Sequence, residues 1–411
     1  MLRYLTAGES HGRSLVVIVE GLPAGLAVTS DQLGMELARR RLGYGRGPRM
    51  RFEADELVLT AGIRHGRTLG SPVAIEIKNS EWERKWTEEM SPNPGYPSKK
   101  LTKPRPGHAD LAGMLKYGFD DARDVLERAS ARETAARVVA GALAKLLLAH
   151  LEIAVLSHVV QIGDVKTART TIPFPEDLPR IDASEVRCLD PEVEALMIAE
   201  IKAAAKVGDS LGGSVEVVAH GVPVGLGSHV HWDRKLDSQL AGALMSIQAV
   251  KAVSIGAGIE VARRHGSTAH DAIQFDPTTG QYRRPTWLSG GIEGGISNGA
   301  PVVAEVWMKP LATLNRPVLE TVDMATKESA LSFKERTDVV AVPAMGVVAE
   351  AMTALVIANE ATRKFGGDSV AEFTRNWRAY RDNLSATPSA VMDDRPLSEG
   401  EPVRVNDTSH D

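Results

Sequence analysis

The sequence predicts an α+β fold in one large domain built on an internal repeat, and three observations predict it. Short apolar runs bounded by glycine and proline, which suit strands, are interspersed with longer runs of helical apolar spacing. GESHGRSLVVIVEGLPAGL at 8–26 is echoed by GDSLGGSVEVVAHGVPVGL at 208–226: a glycine turn, polar residues, a strand, then Gly-x-Pro-x-Gly-Leu. A chain of 411 residues, 43% hydrophobic and 25% charged, can bury the core such a domain needs. The expected domain is 1–385, with pseudo-repeats at about 1–150 and 208–365. The polar, Pro- and Asp-bearing stretch 386–411 is expected to be a disordered tail.

The elements follow in order. Leu15 to Val19 reads as a strand ending at Gly21-Leu22-Pro23. Thr29 or Ser30 caps a helix from Gln32 to Arg41. Leu57–Thr60 and Ser71–Lys78 read as strands, and the polar stretch 79–104, with Trp82 and Trp86, as a long binding loop or lid. Ile153–Gly163 is a strand, 164–191 a proline-bearing excursion and Pro191–Val207 a helix. A strand follows Gly213, and a helix is expected over Leu236–Ala252. Ser254–Gly258 ends a strand, the glycine cluster 290–299 precedes a strand at Val302–Met308, and 339–362 reads as strand, turn and helix.

Between Lys103 and His150 the chain concentrates its polar chemistry. Pro106 and Gly107 break any regular element, so His108 falls on a loop between Arg105 and Asp110. Ser130-Ala131-Arg132-Glu133 has the spacing of a capping box, in which Ser130 accepts from the Glu133 N–H and Glu133 reaches back. The helix that follows carries Val138, Val139, Leu143, Leu146 and Leu147, with Ala136, Ala140 and Ala144 allowing close approach of another element. Its N-terminus beside Arg128 and Arg132 suits an anion.

Net charge of −5 argues against nucleic acid as the partner. Yet Arg39, Arg40, Arg41, Arg46, Arg49, Arg51, Arg64 and Arg67 come with no lysine among them. Guanidiniums without lysines point to bidentate recognition of carboxylate or phosphate, hence to a small polyanion. A single cysteine, Cys188, excludes an intrachain disulfide. No signal peptide or membrane span is read, which makes the cytoplasm the expected location. Gly8-Glu9-Ser10-His11-Gly12 fits the G-x-S-x-G hydrolase elbow in letters only, because a strand rather than a helix follows the serine. Gly43 to Pro48 is no dinucleotide turn, since no strand precedes it, and the 290–299 cluster lacks a P-loop ending. His11, His108 and Asp338, all next to turns, suit proton transfer, with no side chain obvious as a nucleophile. Elimination, isomerisation or a cofactor-borne step is the chemistry left.

GESHG, RRRLGYGRGPRM, RPGHAD, RASARETAARV, GDSLGG, GGIEGGISNG, MKPLAT and RTDVVAVPAMGVVAE, in this order, closely resemble the chorismate synthase family over about 1–385. Only the tail and the loop at 78–104 fall outside the resemblance, and Ala129, a serine in many members, is a mild variant. The resemblance implies a β-α-β sandwich with pseudo-twofold symmetry, a homotetramer, and 1,4-anti elimination of phosphate from 5-enolpyruvylshikimate 3-phosphate with reduced FMN. It implies catalytic roles for His11, His108 and Asp338. Ser10, Arg40, Arg46, Arg49, Arg105, Arg132 and Arg336 would bind substrate. Arg128, Ala129, Ser130, Gln248, Ala249, Gly294, Lys309, Pro310, Leu311, Ala312, Thr313 and Arg336 would bind FMN. Arg40 and Arg46 are also the positions associated with NADPH, which reduces the flavin in some members. A flavin reductase and a non-catalytic anion-binding module are the alternative readings.

Overall fold

A computed structural model describes residues 1–47, 55–168, 171–278, 280–316, 318–333 and 338–385. Arg49, Arg336 and the tail 386–411 therefore lie outside the described residues. The first sheet contains β1 (Arg3–Ala7), β2 (Ser14–Glu20), β3 (Leu57–Ala61) and β6 (Val73–Lys78), with the small hairpin β4 (Ile63–Arg64) and β5 (Arg67–Thr68) before β6. The strands lie antiparallel in the order β1-β2-β6-β3. Alternation sends Leu15, Val17, Val19, Val73, Ile75 and Ile77 to the buried face and leaves Leu5 and Ile18 on the solvent side. Between β2 and β3 runs α1 (Ser30–Arg41), opened by Thr29 and Gln32 in a reciprocal capping box. Next come α2 (Asp110–Tyr117), α3 (Arg123–Ala129) and α4 (Thr134–Ala149).

The second sheet holds β7 (Ala154–Ile162), β8 (Val165–Lys166), β9 (Gly213–His220), β10 (Val250–Ile255) and β15 (Val302–Met308), ordered β10-β15-β9-β7-β8. Helices α5 (Leu178–Ala183) and α6 (Pro191–Val207) precede β9, and α7 (Leu236–Met245) follows it. Two-stranded hairpins β11–β12 (Gln274–Asp276, Gln281–Arg283), β13–β14 (Ile292–Glu293, Ile296–Ser297) and β16–β17 (Glu320–Val322, Ser329–Leu331) are inserted. The chain then forms α8 (Val342–Phe365) and α9 (Val370–Ser385).

The two sheets repeat one connectivity. β1-β2-β6-β3 matches β7-β9-β15-β10, with α1 and α7, then α4 and α8, in corresponding places. The match extends to single hydrogen bonds. The Thr68 hydroxyl donates to Pro23 O (2.6 Å) and accepts from Leu26 N–H (3.0 Å). In the second half the Ser297 hydroxyl donates to Pro223 O (2.6 Å) and accepts from Leu226 N–H (2.8 Å). Such a bracket holds the Gly-x-Pro-x-Gly-Leu turn against a hairpin strand in each half.

Helices fill the space between the sheets. α4 and α8 cross where a Cβ on Gly141 would come within 2.4 Å of the Ala351 Cα, so only glycine permits this approach. Ala136, Ala140 and Ala144 are all fully buried beside it. The solvent side of the second sheet is covered too: Leu156, Val218 and Val303 pack against Ile172 and Ile181 of the 164–191 excursion. By length and composition α8 could cross a bilayer, but 89% of its apolar window is buried inside the protein. It is the central core helix.

Four expectations are corrected. The Ser130 hydroxyl accepts from the Arg132 N–H (3.2 Å) and caps a 3₁₀ turn at Ala131–Glu133. Glu133 does not reach back. Its carboxylate goes to Thr6 Oγ1 (2.7 Å), Arg137 Nε (2.8 Å) and Gln248 Nε2 (3.0 Å), since a charged partner outweighs a backbone N–H. The helix after Leu236 ends at Met245 rather than Ala252: Ala249 turns left-handed (φ 67°), and Val250 starts a strand against Met308. Val339 and Val340 form no strand beyond one bridge to Leu211, because Pro343 opens α8 at once. The 79–104 loop also contains a π-helical turn, Trp82–Trp86.

Candidate active site

The turn between β1 and β2 presents Ser10 and His11. Ser10 is buried and accepts a hydrogen bond from the Ser130 hydroxyl (3.2 Å), so it is no exposed nucleophile. The His11 backbone N–H donates to Glu127 Oε2 (2.8 Å), while the ring Nδ1 lies 2.9 Å from Glu127 Oε1. Arg123, one turn earlier on α3, donates to the same carboxylate (3.0 Å). Burial favours the neutral form of Glu127, but the hydrogen bonds and charge of His11 and Arg123 prevail and hold it below the usual carboxylate range.

His108 has the same kind of support. Its Nδ1 makes a short contact with Asp110 Oδ1, and Asp110 is fully buried at the start of α2. Arg105 donates from Nε to Asp110 Oδ2 (2.8 Å) and from Nη1 to Thr313 Oγ1 (3.0 Å). Burial opposes ionisation of Asp110, yet His108 and Arg105 together hold it far below the ordinary value. The Lys309 ammonium donates to Gly107 O, and its N–H to Ala249 O (3.0 Å). Leu311 O accepts from the Ser210 hydroxyl (2.8 Å), while Leu211 N–H donates to Val339 O (2.8 Å) beside Asp338. Loop 309–313 thus ties the His108 turn to the second half.

Three arginines converge at the α4 N-terminus. Arg132 is buried, bonded through Nε to Asn79 Oδ1 (3.0 Å) and through Nη1 to Asp55. Arg46 lies 3.2 Å from Asp338 Oδ2, whose other oxygen accepts from Gly47 N–H (2.5 Å). Arg40 donates to Thr134 Oγ1 (2.9 Å) and Ala131 O (3.0 Å), but its Nη1 is buried with no hydrogen-bond partner among the described residues. Burial first, then the Arg132 charge, pushes the Arg40 guanidinium down to about 9. Any anion bound here would relieve both penalties.

A chorismate synthase family profile matches residues 2–362 of this chain. The chain belongs to the chorismate synthase family. A chorismate synthase of Thermobifida fusca (strain YX) is 56% identical over 395 residues, covering 93% of this chain and 99% of its own. One of Salinispora tropica is 58% identical over 393 residues, with the same coverage. A crystal structure of chorismate synthase superposes with a TM-score of 0.76 at 38% identity, covering 94% of this chain and 99% of that one. As in other chorismate synthases, the activity is that of a lyase in the shikimate pathway.

Arg128 donates to Thr6 O (2.8 Å) and Thr6 Oγ1 (2.7 Å). It lines, with Arg137, Glu133 and Gln248, a cavity of about 350 Å³. Gln248 Oε1 is buried and has no partner among the described residues. Ala129 ends α3 immediately before Ser130, and Pro310 and Ala312 lie within the 309–313 loop. Gly294 is on the β13–β14 turn near His229, and no described contact joins it to either histidine. The residues missed were the partners: Glu127, Asn79, Asp55 and Ser210. Only Asp110 was signalled, by its position two residues after His108.

Proposed function

We propose that this chain eliminates phosphate from 5-enolpyruvylshikimate 3-phosphate in the 1,4-anti sense to give chorismate, with reduced FMN bound in the site. The observation that supports this reading is Arg40. Arg105 and Arg132 are already matched by Asp110 and Asp55, so their charge mainly fixes orientation. Arg40, crowded by Arg132 and Arg46, has a donor with no partner among the described residues and draws in the phosphate or a carboxylate of the substrate. Arg49 and Arg336 belong to the same binding set on sequence grounds, with Ser10 as a hydrogen-bonding group. His11 holds a proton for the departing phosphate; His108 holds one beside the cofactor ring, and Asp338 relays one nearby.

The residues present fit a flavin. Gln248 Oε1 is an acceptor without a donor among the described residues, and Arg128 and Arg137 line the same cavity. Arg128, Ala129, Ser130, Gln248, Ala249, Gly294 and Lys309 to Thr313 would hold FMN. When bound, it supplies electron density to the allylic C–O bond and takes up a hydrogen from the substrate. NADPH as its reductant near Arg40 and Arg46, the homotetramer and the cytoplasmic location belong to the same proposal and rest on the resemblance. The test is anaerobic mixing with 5-enolpyruvylshikimate 3-phosphate and dithionite-reduced FMN, following chorismate absorbance and phosphate. Equal amounts of both are expected, and substrate binding without either product overturns the reading. Repeating it with oxidised FMN and NADPH shows whether the protein reduces its own flavin.

A further inference from the structure

We propose that Glu127 and Trp86 clamp the His11 imidazole, Glu127 fixing its tautomer and Trp86 its plane, so that Nε2 is the atom that exchanges a proton. The inference rests on the acid role given to His11 above and names two positioning residues for it.

Glu127 grips His11 at two points, Nδ1 and the backbone N–H, so the ring cannot turn without losing the carboxylate. An ionised carboxylate only accepts hydrogen bonds. Nδ1 must therefore be the donor whether the imidazole is neutral or charged, and protonation changes occur at Nε2. Trp86 supplies the second constraint. Its ring centroid lies 4.2 Å from that of His11, with the planes 31° apart. The Arg123 guanidinium, which also binds Glu127, sits 5.0 Å from the Trp86 ring.

The sequence does not place Trp86 there by accident of a floppy loop. Trp86 closes the π-helical turn Trp82–Trp86, a rare geometry that is frequent at functional sites. That loop leaves the first sheet at Asn79, whose side-chain amide donates to Glu9 O (3.1 Å) and Gly12 O (2.7 Å). These carbonyls flank Ser10 and His11. The loop root and its indole thus grip the same turn.

Two measurements test the clamp. The tautomer of His11 is read by ¹⁵N NMR of the flavin-free protein, assigned with His11→Gln. Wild type and Trp86→Phe should show the Nδ1–H form; Glu127→Gln should lose that preference, because its amide can donate as well as accept. Turnover with reduced FMN should fall about 10–100-fold in kcat for Trp86→Ala, with KM within about threefold, and Trp86→Phe should recover most of it. An Nε2–H tautomer in wild type, or equal kcat for the Ala and Phe variants, overturns the proposal. If the tautomers come out as expected while wild type yields no chorismate, the elimination reading fails and the clamp stands.

Discussion

Asp110 and Glu127 perform one task from different helices: each is buried, holds a histidine through Nδ1 and is itself bonded by an arginine. Because the folded pKa of Asp110 lies below its unfolded value of about 4, its stabilisation is complete above that pH. It is lost as pH falls through the lower folded value. The difference in urea midpoint between wild type and Asp110→Asn should therefore be present at about pH 5, where the unfolded carboxyl is ionised, and shrink below about pH 4. A gap that widens on acidification would contradict this account. Arg40 gives the opposite case, a buried guanidinium whose Nη1 has no partner among the described residues and whose burial costs stability. Its partner Thr134 Oγ1 also donates to Ala131 O (2.6 Å), so both remain satisfied without it. Arg40→Met should leave the melting temperature of the ligand-free protein equal or higher. Its kcat/KM should fall about 10–100-fold, the worth of a charge-assisted hydrogen bond. Histidines and arginines were legible because glycine and proline mark their turns. Glu127 was not, because it is 116 residues from His11 and nothing local announces the pair.

At the scale of elements, two glycines decide how closely segments approach. A Cβ on Gly212 would stand 2.5 Å from Met308 O and 2.9 Å from Pro310 N, which would push the 309–313 loop off the second sheet. Gly212→Ala should lower kcat more than it lowers stability, as steady-state assays beside thermal melts would show. For Gly141, alanine gains about 1 kcal/mol in helix propensity, but overpacking against Ala351 costs about 1–3 kcal/mol. Gly141→Ala should therefore be destabilising by denaturant titration; a stabilised variant would mean that α4 and α8 can separate cheaply. The strands of apolar runs and the cap of α1 at Thr29 were readable from local spacing. The early end of α7 was not, since Ala249 adopts positive φ although nothing in its side chain favours it.

Across the whole molecule, one buried ionic cluster ties the layers. Glu350 of α8 accepts from Arg39 of α1 (2.7 Å), Lys145 of α4 (2.6 Å), Arg187 (3.0 Å) and Ser157 of β7 (2.7 Å). Glu36 and Asp182 complete the set, giving three carboxylates against three cations. Burial would keep Glu350 protonated, but Arg39, Lys145 and Arg187 hold it ionised well below the usual range. Removing one partner strands the others, so Glu350→Gln should cost about 3–5 kcal/mol in denaturant titration. Such a cluster leaves no mark on the sequence, because its members come from five separate segments. The repeat did leave one, in the two Gly-x-Pro-x-Gly-Leu turns.

That paired hydroxyl bracket has a consequence for descent. A chain of half this length, lying against a copy of itself, would reproduce both sheets and the crossed helices. Each copy would then have offered an equal cleft. The two turns differ where they correspond: an imidazole stands at His11 in one, and Leu211 holds the matching place in the other. The second turn is a strut, with Ser210 and Gly212 against the 309–313 loop, whose Lys309 and Thr313 meet Gly107 and Arg105.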